Sequence, residues 1–291
     1  MKKTLYTLFA LLLTASLISW QWEKTQHPTI DKGEVIECLN METQQAYQLE
    51  ASQAKFANLH IAPAVVNPAD LLGTIVPFNA ADGKPGQAYF IPAKKKSDKW
   101  LIVIQEWWGL NDNIKMEADQ YFKDLGDVNV MAVDMYDGKV AATPDSAMKL
   151  MRGADMNRMV ALIQGAVKHA GPKASIYSVG WCFGGMWSLQ TAIIAGPQAK
   201  GSVMYYGRPE SNMEKLKTIQ CDIIGFFGNL DQSPSPAMVN TFEDNMKLAG
   251  KNLTTYKYEA GHGFANPSNP SYNAAAKADS YAKAIAFLKA H

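Results

Sequence analysis

Six short runs rich in apolar and β-branched residues, separated by segments of helical periodicity, constrain this chain more tightly than any other feature of its sequence. WLIVI (100–104), VNVMAV (128–133), ASIYSV (174–179), SVMYY (202–206), DIIGFF (222–227) and TTYKYE (254–259) each have the length and composition of a strand. Ile114, Ala118, Tyr121, Phe122 and Leu125 recur at helical spacing, as do Met156, Met159, Val160, Ile163 and Val167. Val239, Phe242 and Met246 repeat the pattern, and so do Tyr281, Ile285 and Leu288. Each such helix must bury its stripe against the sheet it crosses. The alternation therefore predicts an α/β fold, a mostly parallel central sheet with helices on both faces. Polar chemistry then belongs at the carboxyl ends of the strands.

One segment stands out at such an end. Gly180-Trp181-Cys182-Phe183-Gly184-Gly185 follows the strand ASIYSV and leads into the helical run MWSLQTAII. A lone cysteine reads as a small core residue. Framed by glycines two before and two after, between a strand and a helix, Cys182 has the form of a nucleophile elbow. The helix behind it aims N–H groups and a positive dipole end at the sulfur, which favours a thiolate and makes the Phe183 N–H a candidate oxyanion donor.

A thiol nucleophile needs a base, and the base needs an orienting group. Asp231 lies in GNLDQSP just after DIIGFF, and His262 lies in AGHGFANP just after TTYKYE. The order nucleophile, acid, histidine suits this architecture. Of the other histidines, His27 and His60 fall in the N-terminal extension, His169 near a helix end and His291 at the terminus. Taken singly, His262 reads as an exposed loop residue and Asp231 as a turn former. Neither of those readings accounts for the three together.

Charge and cysteine content narrow the field. The 28 lysines and arginines balance 27 acidic residues without a basic block, so nucleic acid is not expected as a partner. Three cysteines, Cys38, Cys182 and Cys221, are too few for a disulfide scaffold, and their spacing offers no metal site. No cofactor motif is visible, and neither a cofactor nor a metal is expected.

The chain divides into three parts. Residues 1–20 carry Lys2 and Lys3 ahead of an apolar run from Leu5 to Trp20, with a weak cleavage signal at Thr14 and Ser16. They are expected to export the protein to the periplasm or beyond, or to anchor it in the membrane if the segment is retained. Residues 21–72 are polar and aperiodic and read as an extension. Residues 73–291 form the catalytic domain, opened by a hairpin turning at Asp82-Gly83.

With these residues in place the chain resembles the dienelactone hydrolase family over roughly residues 73 to 290. The resemblance rests on GWCFGG around Cys182, GNLDQSP around Asp231, AGHGFANP around His262, QEWWGLN (105–111) and MYDGKVAATP (135–144). It implies an α/β-hydrolase fold and cleavage of a small ester or lactone through a cysteine thioester. It also implies that Glu106 holds the resting thiol and that the Trp107 N–H is the second oxyanion donor. Trp107, Trp108 and Trp181 either wall an aromatic pocket or pack the core. The sequence departs from the family at Asn266, where members acting on carboxylate-bearing dienelactones carry an arginine; a bidentate clamp for an acidic lactone is missing there. Another acyl-transfer or peptidase-like hydrolase on the same fold, and a non-catalytic envelope protein that binds in the same pocket, are the alternative readings.

Overall fold

The computed structural model describes residues 42–51 and 71–291. The signal or anchor segment (1–20), Cys38, and the rest of the extension apart from 42–51 and 71–72 lie outside the described residues. Eight strands form one sheet: β1 (Thr74–Asn79), β2 (Pro85–Ile91), β3 (Lys99–Ile104), β4 (Asn129–Val133), β5 (Ser175–Trp181), β6 (Ala199–Tyr205), β7 (Asp222–Gly228) and β8 (Leu253–Tyr258). Their order is β1-β2-β4-β3-β5-β6-β7-β8. The hairpin turns at Gly83 (φ 81°) and joins the sheet edge by antiparallel pairing, and every pair from β4 onward is parallel.

Every residue of β4 is buried, and so are Leu101 to Ile104 of β3. Since neighbouring strand residues point to opposite faces, both faces of the sheet are covered. The covering helices are α1 (Glu42–Ala51), α2 (Asp112–Leu125), α3 (Pro144–Arg152), α4 (Met156–Ala170), α5 (Phe183–Ala195), α6 (Met213–Thr218), α7 (Pro236–Leu248) and α8 (Ala274–Ala290). In α4 the predicted stripe is buried throughout; in α2, Ile114, Ala118, Tyr121 and Phe122 are buried while Leu125 is only partly so. Helix α8 corrects its predicted stripe. Ala276, Ser280, Ala284 and Leu288 face inward, whereas Tyr281 and Ile285 are half-buried. Small side chains at i, i+4 and i+8 let this helix lie close, so its buried face carries little hydrophobic signal.

The extension contains α1. Its residues ETQQAYQLEA are mostly good helix formers, but the buried positions Thr43 and Gln44 are polar, so no apolar stripe marks the element. Polar contacts hold it instead. Thr43 Oγ1 donates to the buried Glu210 carboxylate (2.5 Å), and Gln48 Nε2 donates to the Met151 carbonyl (2.8 Å). Glu210 is further tied to Lys215 (3.2 Å) and Gln190 (2.9 Å), so its charge is paired where water is excluded.

Candidate active site

The elbow joins β5 to α5. Cys182 sits between them at φ 57°, ψ −117°, a region disfavoured for residues with a Cβ and worth about 1–3 kcal/mol of strain. The close approach that imposes this turn leaves no room on either side. A Cβ at Gly180 would stand 2.1 Å from the Gly184 carbonyl oxygen, and one at Gly184 would stand 2.3 Å from that of Ile104. The Cys182 N–H donates to the Tyr205 carbonyl (3.0 Å) and its own carbonyl accepts from Gly185 (3.0 Å) and Met186 (3.2 Å). The backbone is thus pinned on both sides of the sulfur.

Asp231 and His262 reach that sulfur from the loops after β7 and β8. The two loops are stitched together where the Asn229 N–H donates to the Tyr258 carbonyl (2.8 Å) and the Leu230 N–H to that of Ala260 (3.1 Å). His262 Nε2 lies 3.1 Å from Cys182 Sγ, and Nδ1 lies 2.8 Å from Asp231 Oδ2. A carboxylate only accepts, so Nδ1 carries hydrogen and Nε2 faces the sulfur. The second oxygen of Asp231 accepts from the Ser233 N–H (2.9 Å), which fixes the carboxylate plane. Sulfur, imidazole and carboxylate are each at most 4% exposed. Burial opposes a charged imidazole, but Asp231 and Cys182 outweigh it and hold His262 well above its ordinary range.

Glu106, two residues past β3, is buried beside this chain of groups. Asn266 Nδ2 donates to its Oε2 (2.7 Å), and the Tyr206 hydroxyl, more distantly, to its Oε1 (3.4 Å). Burial pushes its carboxyl up to about 7, against the lowering pull of His262, Asn266 and Tyr206. The sulfur is engaged with His262, while the carboxylate is engaged by Asn266 and Tyr206, because the residue in the arginine position is a short amide that reaches Glu106 directly.

The predicted oxyanion donors directly follow Cys182 and Glu106 in the chain. Phe183 opens α5, where the first N–H groups point out of the helix end along its axis. Trp107 lies in the turn closed by the Gly109 N–H to the Glu106 carbonyl (3.3 Å). Its ring is wholly buried against Trp108 (5.1 Å between centroids). A narrow cleft opens beside Glu106, lined by Trp181, Asn266, Tyr206 and Ile114 among others. Trp181 and Asn266 line it, whereas Trp108 is 1% exposed and its carbonyl accepts from the Ala141 N–H (2.8 Å).

Tyr206 was not legible as a site residue. It follows β6 with φ 35°, stacks edge-on against His262 (5.1 Å) and touches Glu106. Its place at the carboxyl end of a central strand was the available signal. Among the described residues no cluster of three or more His, Cys, Asp or Glu side chains is placed to hold a metal ion.

The geometry can be set beside known proteins. "Protein usf" of Aquifex pyrophilus is 30% identical over 219 residues, covering 69% of this chain and 91% of that protein. "Carboxymethylenebutenolidase 1" of Cupriavidus pinatubonensis is 24% identical over 202 residues, covering 65% and 84%. Among solved structures, a dienelactone hydrolase-like promiscuous phosphotriesterase from metagenomic libraries superposes with a TM-score of 0.64 at 22% identity, covering 75% of this chain and 98% of its own. Residues 87–291 match the profile of the dienelactone hydrolase family. The elbow, its loops and this match together place the chain in that family: it is a hydrolase of the α/β type and belongs to the dienelactone hydrolase family.

Proposed function

We propose that the protein hydrolyses a small, uncharged carboxylic ester or lactone through a thioester on Cys182. The carrying observation is the succession Cys182 Sγ, His262 Nε2 (3.1 Å), His262 Nδ1, Asp231 Oδ2 (2.8 Å) at the carboxyl edge of the sheet. His262 takes the thiol proton as the sulfur attacks the carbonyl carbon, and Asp231 stabilises the imidazolium. The Phe183 and Trp107 N–H groups receive the oxyanion. Collapse of the tetrahedral adduct breaks the C–O bond and returns the proton from His262 to the leaving alkoxide. Water then attacks the thioester with the same base, releasing acid and thiol.

The lining of the cleft supports the substrate class. Glu106, Glu117 and the amides of Asn113 and Asn266 line it without a lysine or arginine. A carboxylate on the substrate would meet like charge there. The charged and apolar start of the chain supports export.

Cys182→Ala is expected to abolish turnover of short-chain p-nitrophenyl esters while leaving the unfolding midpoint within a few degrees; retained turnover would remove the sulfur from the mechanism. Alkylation by iodoacetamide separates catalysis from binding alone. Burial pushes the Cys221 thiol up to about 12, so it serves as the unreactive reference, and Cys182 is expected to react far faster.

A further inference from the structure

The segment MYDGKVAATP (135–144) supplies none of the reacting groups, yet it braces both stretches that carry the oxyanion donors. On the side of Trp107, Gln105 Oε1 accepts from the Met135 N–H (3.2 Å) and the Trp108 carbonyl accepts from the Ala141 N–H (2.8 Å). Between these two bonds the chains run so close that a Cβ at Gly109 would stand 2.4 Å from the Lys139 carbonyl oxygen. On the other side, the Tyr136 ring packs against that of Phe183 (5.5 Å between centroids). Two N–H groups from separate loops form a cradle for one oxygen only if the loops are held at a fixed spacing, and this segment touches both.

The segment needs outside help to keep its shape. Asp137 adopts φ 51° and Gly138 φ 86°, so two successive residues lie in the left-handed region and one of them carries a Cβ. The Asp134 carboxylate ties the turn from within, accepting from the N–H groups of Tyr136 (3.0 Å) and Gly138 (2.5 Å). Arg158 fastens it from without. Its Nη2 and Nε donate to the Asp137 carboxylate (2.7 and 3.2 Å), its Nη1 to Asp82 in the hairpin turn (2.8 Å), and Nη2 also to the Pro85 carbonyl at the start of β2 (2.6 Å). With the guanidinium fork engaged on three partners and only 11% of the side chain exposed, this is a fixed joint and not a loose surface ion pair. Arg158 stands in the first turn of α4, where the helix dipole disfavours a cation. Helix stability therefore does not account for an arginine there, whereas the three-way joint does.

We infer that Arg158 is a positioning residue for the reaction: by clamping Asp137 to the hairpin it holds residues 135–141 against the 105–109 turn and against Phe183, and so fixes the spacing of the two N–H groups that receive the oxyanion. The inference rests on the thioester reading above. Formation and hydrolysis of the thioester both pass through an oxyanion, whereas alkylation of the sulfur by iodoacetamide forms none. Loosening the clamp therefore slows turnover and spares alkylation.

Arg158→Met keeps the apolar stem and removes every donor, and Arg158→Lys keeps the charge but loses the fork. On the full chain, kcat and KM for p-nitrophenyl acetate, the rate of Cys182 alkylation by iodoacetamide and the thermal midpoint are compared with the parent, with rates taken well below the midpoint. Expected for Arg158→Met are a kcat lowered about thirtyfold, KM within about threefold and alkylation within about twofold, with part of kcat restored in Arg158→Lys. Asp137→Asn tolerates the left-handed turn and removes only the charge that the fork grips; it serves if Arg158→Met fails to fold, and is expected to lower kcat about fivefold with the same sparing of alkylation. Turnover within twofold of the parent in the folded variants overturns the inference. So does a loss in which hydrolysis and alkylation fall together, since that reports a disturbed nucleophile and not a misplaced pair of donors. If Cys182→Ala retains turnover, the thioester reading itself has failed, which is a separate result.

Discussion

Glu106→Gln should make this protein more stable, and only above a definable pH. In the fold the Glu106 carboxyl keeps its proton up to about 7, against an ordinary 4.5. Between those values the folded state binds a proton that the unfolded chain has released, so stability falls as pH rises through the window and stays lower above it. At about 1.4 kcal/mol per pH unit, the full effect is about 3 kcal/mol at pH 8 and close to nothing at pH 4. Glutamine keeps the shape and can keep both partners: its carbonyl oxygen accepts from Asn266 Nδ2, and its amide can donate to the Tyr206 oxygen. The attraction between Glu106 and His262 is already contained in the net shift, so no separate correction enters. For a domain of this size, about 3 kcal/mol corresponds to about 8 °C in the thermal midpoint. Urea unfolding of both proteins at pH 4, 6 and 8 reads the difference directly. Coincident midpoints at pH 8, or a variant less stable there than the parent, refute the argument that burial dominates this carboxyl.

Three other perturbations follow from the geometry. Asp231→Asn keeps the shape of the loop but reverses the hydrogen-bonding need of His262 Nδ1, and kcat for ester hydrolysis should fall by about four orders of magnitude with the fold intact; a loss under tenfold would show that the carboxylate does not orient the base. Gly184→Ala drives a methyl to 2.3 Å from the Ile104 carbonyl, which should destabilise the protein by about 3 kcal/mol in urea and disable the elbow. Asn266→Arg places a guanidinium beside Glu106 at the cleft and should raise kcat/KM for a carboxylate-bearing lactone about tenfold relative to a neutral ester; an unchanged ratio would locate charge selection elsewhere.

What could be read from the sequence follows from how each feature signals itself. The central strands declare themselves because a buried parallel strand is apolar at every position, and the elbow because glycines are obligatory where β3, β5 and α5 nearly touch. Helices α1, α3 and α6 were not anticipated. In α3 only Ala147 and Met151 are buried, and α1 is held by side-chain hydrogen bonds, so neither has a stripe long enough to register. The same limit applies in the site. Cys182, Asp231 and His262 stand in local motifs, whereas Tyr206 acquires meaning only when strands far apart in sequence bring it beside Glu106 and His262. Trp108, which its neighbours suggested as a pocket wall, turns inward because its ring packs on that of Trp107.

The position of Glu106 links stability to reactivity with opposite signs. His262 lowers the Glu106 carboxyl, and such an interaction is reciprocal: an ionised Glu106 favours the imidazolium that forms as the thiol gives up its proton. Titrating Glu106 through about 7 therefore assists the step that charges His262 while it burdens the fold with a buried anion, so the pH range in which the site is best prepared for attack is the range in which it is least stable. Asn266 is what makes this tolerable. As a neutral donor 2.7 Å from the carboxylate it stabilises the anion without cancelling its charge, whereas an arginine there would neutralise Glu106 and lower its carboxyl towards the ordinary range. The amide at this one position thus sets the pH at which Glu106 begins to support the imidazolium.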